Sequence, residues 1–123
     1  MKNKTSALAA LAVAAVAASP ALAAPDGQQL FQRYCFICHS TEAGQNKVGP
    51  SLAGVVGRKS GQEPGFDYSE AMQSANKTWD EATLDKYLTD PRQVVPGTKM
   101  LFIGIKNADE RHALIDYLKS LKS

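Results

Sequence analysis

Several residue types are scarce in this chain of 123 residues, which holds two cysteines, two histidines and one tryptophan. A structural zinc site needs about four nitrogen or sulfur ligands. Here only Cys35, Cys38, His39 and the distant His112 are available, without the spacing of a zinc finger. No apolar run reaches the roughly 20 residues of a membrane span, so no stable membrane insertion is expected. No pair of alternating segments reads as two strands, and no internal repeat or low-complexity tract is present. A continuous basic stripe is also missing, which argues against nucleic acid as a partner.

The first residues carry an export pattern. Lys2 and Lys4 precede an alanine-rich apolar stretch from Ala7 to Ala18, and Ala21-Leu22-Ala23 forms an A-x-A site. This predicts a signal peptide over residues 1–23, cleaved after Ala23 or one residue later. Mitochondrial import peptides are rich in Arg, and this stretch has none, so the pattern points to the bacterial periplasm. One domain over residues 24–123 remains. Losing Lys2 and Lys4 takes the 14 basic residues to 12, against 12 acidic ones, so the mature chain is neutral despite a sequence pI of 8.6.

What the chain does have is Cys35-Phe36-Ile37-Cys38-His39. A C-x-x-C-H pentapeptide reads as a c-type haem attachment site. Two thiols three positions apart reach the edge of one flat ring from a single helical face. The following imidazole then sits beneath its centre. A thioredoxin-like pair would follow a strand, and no alternating apolar run precedes Cys35. Exported proteins often pair two cysteines in a disulfide; here thioether bonds would consume both thiols.

Helical signals fill much of the mature chain. Asp26 caps a predicted helix from about Gly27 to Cys38, with Leu30, Phe31 and Tyr34 as its apolar stripe. Residues 40–65 hold six glycines and no period, so this stretch reads as loop. A loop that long needs something to organise it, and a haem would serve. Ser69 starts a short helix to about Ser74. Thr78-Trp79-Asp80-Glu81 reads as a capping box opening a helix with Leu84, Tyr87 and Leu88, which stops before Pro91. Residues 93–102 read as irregular, with a turn at Pro96-Gly97. Asn107 and Glu110 cap a last helix carrying Leu114, Tyr117, Leu118 and Leu121. The fold class is all-α, about four short helices and long loops wrapped around one covalently bound haem.

His39 leaves one axial position of the iron to fill. His112 flanks the apolar stripe of the last helix and reads as a surface residue. Methionine is the other natural partner, and Met/His ligation raises the reduction potential. Met72 reads equally well as core filler, whereas Met100 follows the irregular Pro96-Gly97-Thr98-Lys99.

From Asp26 onward the chain resembles class I c-type cytochromes of the mitochondrial cytochrome c and bacterial cytochrome c2 type. The resemblance rests on Gly27 and Phe31 before C-x-x-C-H, Gly49-Pro50-x-Leu52, Gly57-Arg58-Lys59-x-Gly61, Pro64-Gly65-Phe66-x-Tyr68, Trp79, Tyr87-Leu88, Pro91 and Pro96-Gly97-Thr98-Lys99-Met100. Phe102, Gly104-Ile105-Lys106 and Leu114-Ile115-x-Tyr117-Leu118 extend it over the whole domain. It implies thioethers at Cys35 and Cys38, with His39 and Met100 as iron ligands and the Pro50 carbonyl accepting from His39. It also implies Arg58, Tyr68 and Trp79 at the haem propionates, and Tyr87 with Thr98 on the Met side. Gly27 and Phe31 are expected to meet Leu114 and Tyr117. Three features depart from the pattern: Met72 replaces a common Asn, Arg92-Gln93 replaces a lysine pair, and the mature chain is neutral.

The implied function is a soluble, monomeric one-electron carrier and not an enzyme. It would run from a quinol–cytochrome c oxidoreductase to a terminal oxidase or photosynthetic reaction centre. Arg33, Lys47, Lys99 and Lys106 are candidate docking residues by the same resemblance, and at alkaline pH Lys99 would be placed to displace Met100. The competing readings are a small haem enzyme such as a peroxidase, a haem-based ligand sensor, and a thiol–disulfide oxidoreductase.

Overall fold

Asp26 opens the first helix by accepting from the N–H groups of Gln28 (2.9 Å) and Gln29 (3.3 Å), two of the donors a helix start leaves unpaired. In the computed structural model, which describes residues 2–17 and 24–123, this helix is α1, Gly27–Tyr34. The predicted cleavage site at Ala21–Ala23 lies outside the described residues. Helix α1 ends earlier than expected. The Phe36 N–H reaches back five residues to the Phe31 carbonyl at 3.0 Å, which breaks the four-residue ladder. The N–H groups of Cys38 and His39 both return to the Cys35 carbonyl, so the pentapeptide is a tight turn.

Ser69 caps α2, Glu70–Gln73, through the Met72 N–H. Helix α3 spans Glu81–Thr89, and its cap is Asp80, which accepts from the Thr83 N–H at 2.7 Å. The predicted capping box is therefore displaced by two residues. Thr78 is otherwise engaged, in an antiparallel bridge with Lys59, while the Trp79 N–H and C=O bond Arg58 and Gly57. That backbone holds the glycine-rich loop and is not free to start a helix. Pro91 ends α3 as expected but also begins a helix not foreseen, α4, Pro91–Val94. Proline suits the first helical position because its missing N–H is not needed there. Asn107 caps α5, Ala108–Ser120, through the Glu110 N–H.

The described residues thus form five helices and no sheet. The main pairings are α1 with α5, and α3 with α4 and α5. Phe31 and Leu114 are almost fully buried at the α1–α5 crossing, where each large apolar side chain contributes on the order of 1.5–3 kcal/mol. Phe31 also stacks on Tyr117, ring centroids 5.7 Å apart. Tyr34, expected in the same stripe, is 36% exposed and leans on Phe102 at 5.8 Å. Met72 joins the core with Trp79, Tyr87 and Leu88, and His112 is exposed beside Asp85. No helix of the described residues is long and apolar enough to cross a membrane.

The loop over residues 40–65 is organised by side chains. Buried Ser51 donates its hydroxyl to the Glu42 carbonyl at 2.6 Å. Asn46 accepts from the Ser51 N–H (2.9 Å) and donates to the Pro64 carbonyl (3.0 Å). Ser60 exchanges bonds with Lys77 through its N–H and its hydroxyl. Backbone groups without helical or sheet partners are thereby satisfied.

Gly27 sets how closely α1 and α5 approach. A Cβ there would strike the Ala113 carbonyl and come within 2.7 Å of the Tyr117 Cβ. Gly27→Ala is expected to destabilise the fold by about 1–3 kcal/mol, as overpacking does. Thermal melting checks this; an unchanged midpoint would mean that the crossing yields freely.

Candidate metal and cofactor site

The turn after α1 brings Cys35, Cys38 and His39 together, all partly buried. The two thiols are not bridged. Burial, and secondarily the neighbouring Cys38, push the Cys35 thiol up to about 12. A thiol–disulfide catalyst needs the opposite, a lowered value that yields thiolate. The pair is therefore poorly suited to exchange chemistry.

His39 is held from two sides. Its Nδ1 lies 2.7 Å from the Pro50 carbonyl oxygen. A carbonyl only accepts, so Nδ1 carries the proton and Nε2 keeps a lone pair for a metal. Burial, with smaller contributions from the Lys47 and Arg58 charges, lowers the His39 pKa, against the Pro50 hydrogen bond that raises it. The neutral form is the ligating one. Gly49 closes the other side: a Cβ there would collide with the imidazole Cε1 and lie 2.7 Å from Nδ1. Only hydrogen fits between loop and ring.

Met100 is half-buried at the edge of the core, after the turn at Pro96-Gly97. Its N–H donates to the Thr98 hydroxyl at 3.3 Å. Trp79 and Tyr87 are buried and tilted together at 4.7 Å. Burial raises the Tyr87 phenol above its ordinary value, and the Thr98 hydroxyl facing it pulls the other way.

Arg58 is not a solvated loop charge. It donates Nη1–H to Glu63 Oε2 (2.7 Å) and the Ala53 carbonyl (3.2 Å), and Nη2–H to the Ser51 carbonyl (3.0 Å). Its Nε is buried with no partner among the described residues. Tyr68 accepts from the Glu63 N–H at 3.0 Å, which leaves its own proton to give. Burial is the main cause raising the Tyr68 phenol, so that proton is retained. A buried donor without an acceptor is costly. An unmatched Arg58 Nε–H beside a Tyr68 donor suits an anionic oxygen, as a haem propionate offers, so this donor set fits the group.

The four candidate docking residues are exposed. Lys47 Nζ donates to the Phe36 carbonyl at 2.6 Å and lies 4.5 Å from the Phe36 ring centroid. Lys99 Nζ donates to the Asp67 carbonyl and lies 4.9 Å from the Phe66 ring. Lys106 Nζ donates to the Thr89 carbonyl at 2.6 Å, and Arg33 stands 5.8 Å from the Tyr34 ring. Phe36, Ile37, Val48, Leu101 and Ile103 expose apolar surface as well.

Glu63, Asn46 and Ser51 escaped sequence reasoning, because each acts on backbone or on Arg58 within an aperiodic loop. The one available signal was the Gly-Pro and Pro-Gly pairs at 49–50 and 64–65, which bracket Ser51 and Glu63 and follow Asn46.

Comparison with known proteins agrees with this geometry. The Cytochrome c family model matches residues 24–122. Cytochrome c2 iso-2 of Magnetospirillum molischianum is 58% identical over 88 residues, covering 72% of this chain and 91% of that protein. Cytochrome c2 of Rhodomicrobium vannielii is 48% identical over 115 residues, 90% of this chain and 91% of that protein. Among solved structures, cytochrome cH from Methylobacterium extorquens superposes with a TM-score of 0.71 at 42% identity, over 76% of this chain and 94% of that one. The chain therefore belongs to the cytochrome c family. Within it the chain is a class I cytochrome of the bacterial c2 type, and it transports electrons by means of a haem iron.

Gly49→Ala is expected to push the imidazole off the Pro50 carbonyl. The variant should mature poorly and carry less covalently attached haem; wild-type haem content would show that the 49–50 loop does not hold the imidazole in place.

Proposed function

We propose that the chain is exported to the bacterial periplasm, freed of residues 1–23, and acts there as a soluble, monomeric one-electron shuttle between membrane redox complexes. Haem c is attached through Cys35 and Cys38, and the iron is ligated by His39 and Met100. Bound there, the group supplies an iron that exchanges one electron between ferric and ferrous states. The observation that carries this reading is the His39 Nδ1 to Pro50 contact, directly after the two thiols. It fixes the tautomer that leaves Nε2 for the metal, within the turn that bears both attachment points.

The remaining residues act on that centre. Arg58, Tyr68 and Trp79 receive the propionates; for Arg58 the support is its unmatched Nε–H. Tyr87 and Thr98 hold the Met100 side, supported by the Met100 N–H bond to Thr98. With His39 and Met100 both holding the iron, little room would be left for substrate, which favours a carrier over a peroxidase or a ligand sensor. The donor is a quinol–cytochrome c oxidoreductase, and the acceptor a terminal oxidase or photosynthetic reaction centre. For Lys99 to replace Met100 at alkaline pH, it must first leave the Asp67 carbonyl and the Phe66 ring.

Met100→Ala tests the assignment. It should lower the reduction potential and let the reduced protein bind carbon monoxide, which the wild type refuses. Ready binding by the wild type would favour the haem enzyme or sensor instead. Arg33, Lys47, Lys99 and Lys106 would dock the partner transiently through a small interface. Steering by exposed charges weakens as salt screens them, so the rate with a partner complex should fall several-fold from low to physiological ionic strength. A flat rate would discard this basic ring.

A further inference from the structure

Glu63 has no part in the reading so far, yet its side chain is only 11% exposed. Buried carboxylates persist when paired, and its partner, at 2.7 Å, is Arg58, the cation assigned above to a haem propionate. The pair is enclosed. Arg58 also holds the Ala53 and Ser51 carbonyls, and Tyr68 bonds the Glu63 backbone. The titratable groups that act on the pair are Tyr68 and, from the 39–50 segment, His39, which feels the Arg58 charge. Both are neutral, so neither offsets the Glu63 charge.

We propose that Glu63 is a potential-setting residue: by occupying Arg58 Nη1 it makes one guanidinium serve two carboxylates, its own and a haem propionate, and the surplus negative charge lowers the reduction potential. The inference rests on the placement of Arg58 at a propionate given above. Its physics is Coulombic. Reduction adds one electron from the donor partner to the iron; no bond forms or breaks and no proton moves. A fixed anion nearby opposes that added charge, and burial keeps water from screening it fully. Were Arg58 committed to the propionate alone, the local charge would balance and the reduced state would be favoured.

Glu63→Gln tests this, because the amide oxygen still accepts from Arg58 while the charge is gone. Spectroelectrochemical titration of the mature protein should show the equilibrium shifted toward the reduced state by roughly three- to tenfold, about 30–60 mV for one electron. Glu63→Asp keeps the charge and should return close to wild type. Glu42→Gln removes one charge at an exposed position and should leave the potential unchanged. A Glu63→Gln potential equal to wild type, or an equal shift in Glu42→Gln, overturns the proposal. Failure of the underlying reading would look different: the purified wild type would be colourless or would release its pigment into acidified acetone, and no titration would be possible.

Discussion

The hydrogen bond from His39 Nδ1 to the Pro50 carbonyl is the contact on which the arrangement depends. It joins the turn after α1 to a loop with no regular structure, and it decides which ring nitrogen can meet a metal. The surroundings serve it. Gly49 lets the loop lie flat against the imidazole, and the Gly49 N–H bonds the Cys38 carbonyl at 2.7 Å, so loop and pentapeptide are tied at two adjacent points. Ser51 and Asn46 then fix the residues that follow Pro50. A side chain placed by loops needs this many supports, because no helix or strand imposes its geometry.

A second set of contacts mounts Arg58. The Lys59–Thr78 bridge and the paired bonds between Gly57, Arg58 and Trp79 join the glycine-rich loop to the start of α3. Trp79 is thereby packed against Tyr87, and Arg58 is turned inward onto the Ser51 and Ala53 carbonyls and Glu63. The same backbone that postpones the start of α3 by two residues places these side chains. The displaced cap and the mounting of Arg58 are one structural fact.

Features governed by local rules were legible in the sequence. Asp26, Ser69 and Asn107 cap where their residue types predict, and the α1–α5 crossing at Gly27, Phe31, Leu114 and Tyr117 lies where the family resemblance implies it. The pentapeptide announced the cofactor class outright. What sequence reasoning missed is non-local. Thr78 satisfied the capping-box pattern but was claimed by a bridge to Lys59, nineteen residues earlier in the chain. In the sequence Pro91 signals only a helix end, though the same lack of an N–H that ends α3 lets it begin α4. Glu63 lies in an aperiodic stretch, and its significance depends on a partner five residues away turned inward by a distant strand-like contact.

The three lysines on neutral carbonyls have a consequence of their own. Arg58, Arg111 and Lys119 are matched with carboxylates, whereas Lys47, Lys99 and Lys106 rest on the carbonyls of Phe36, Asp67 and Thr89. Carbonyl oxygens hold an ammonium in place without cancelling its charge. Residues 24–123 hold 12 basic and 12 acidic residues, yet these three ammonium groups pair with no carboxylate among the described residues. Ordering a long side chain costs about 0.5–1.5 kcal/mol; here each ammonium already meets an acceptor of its own chain, which offsets part of that loss before anything else is bound.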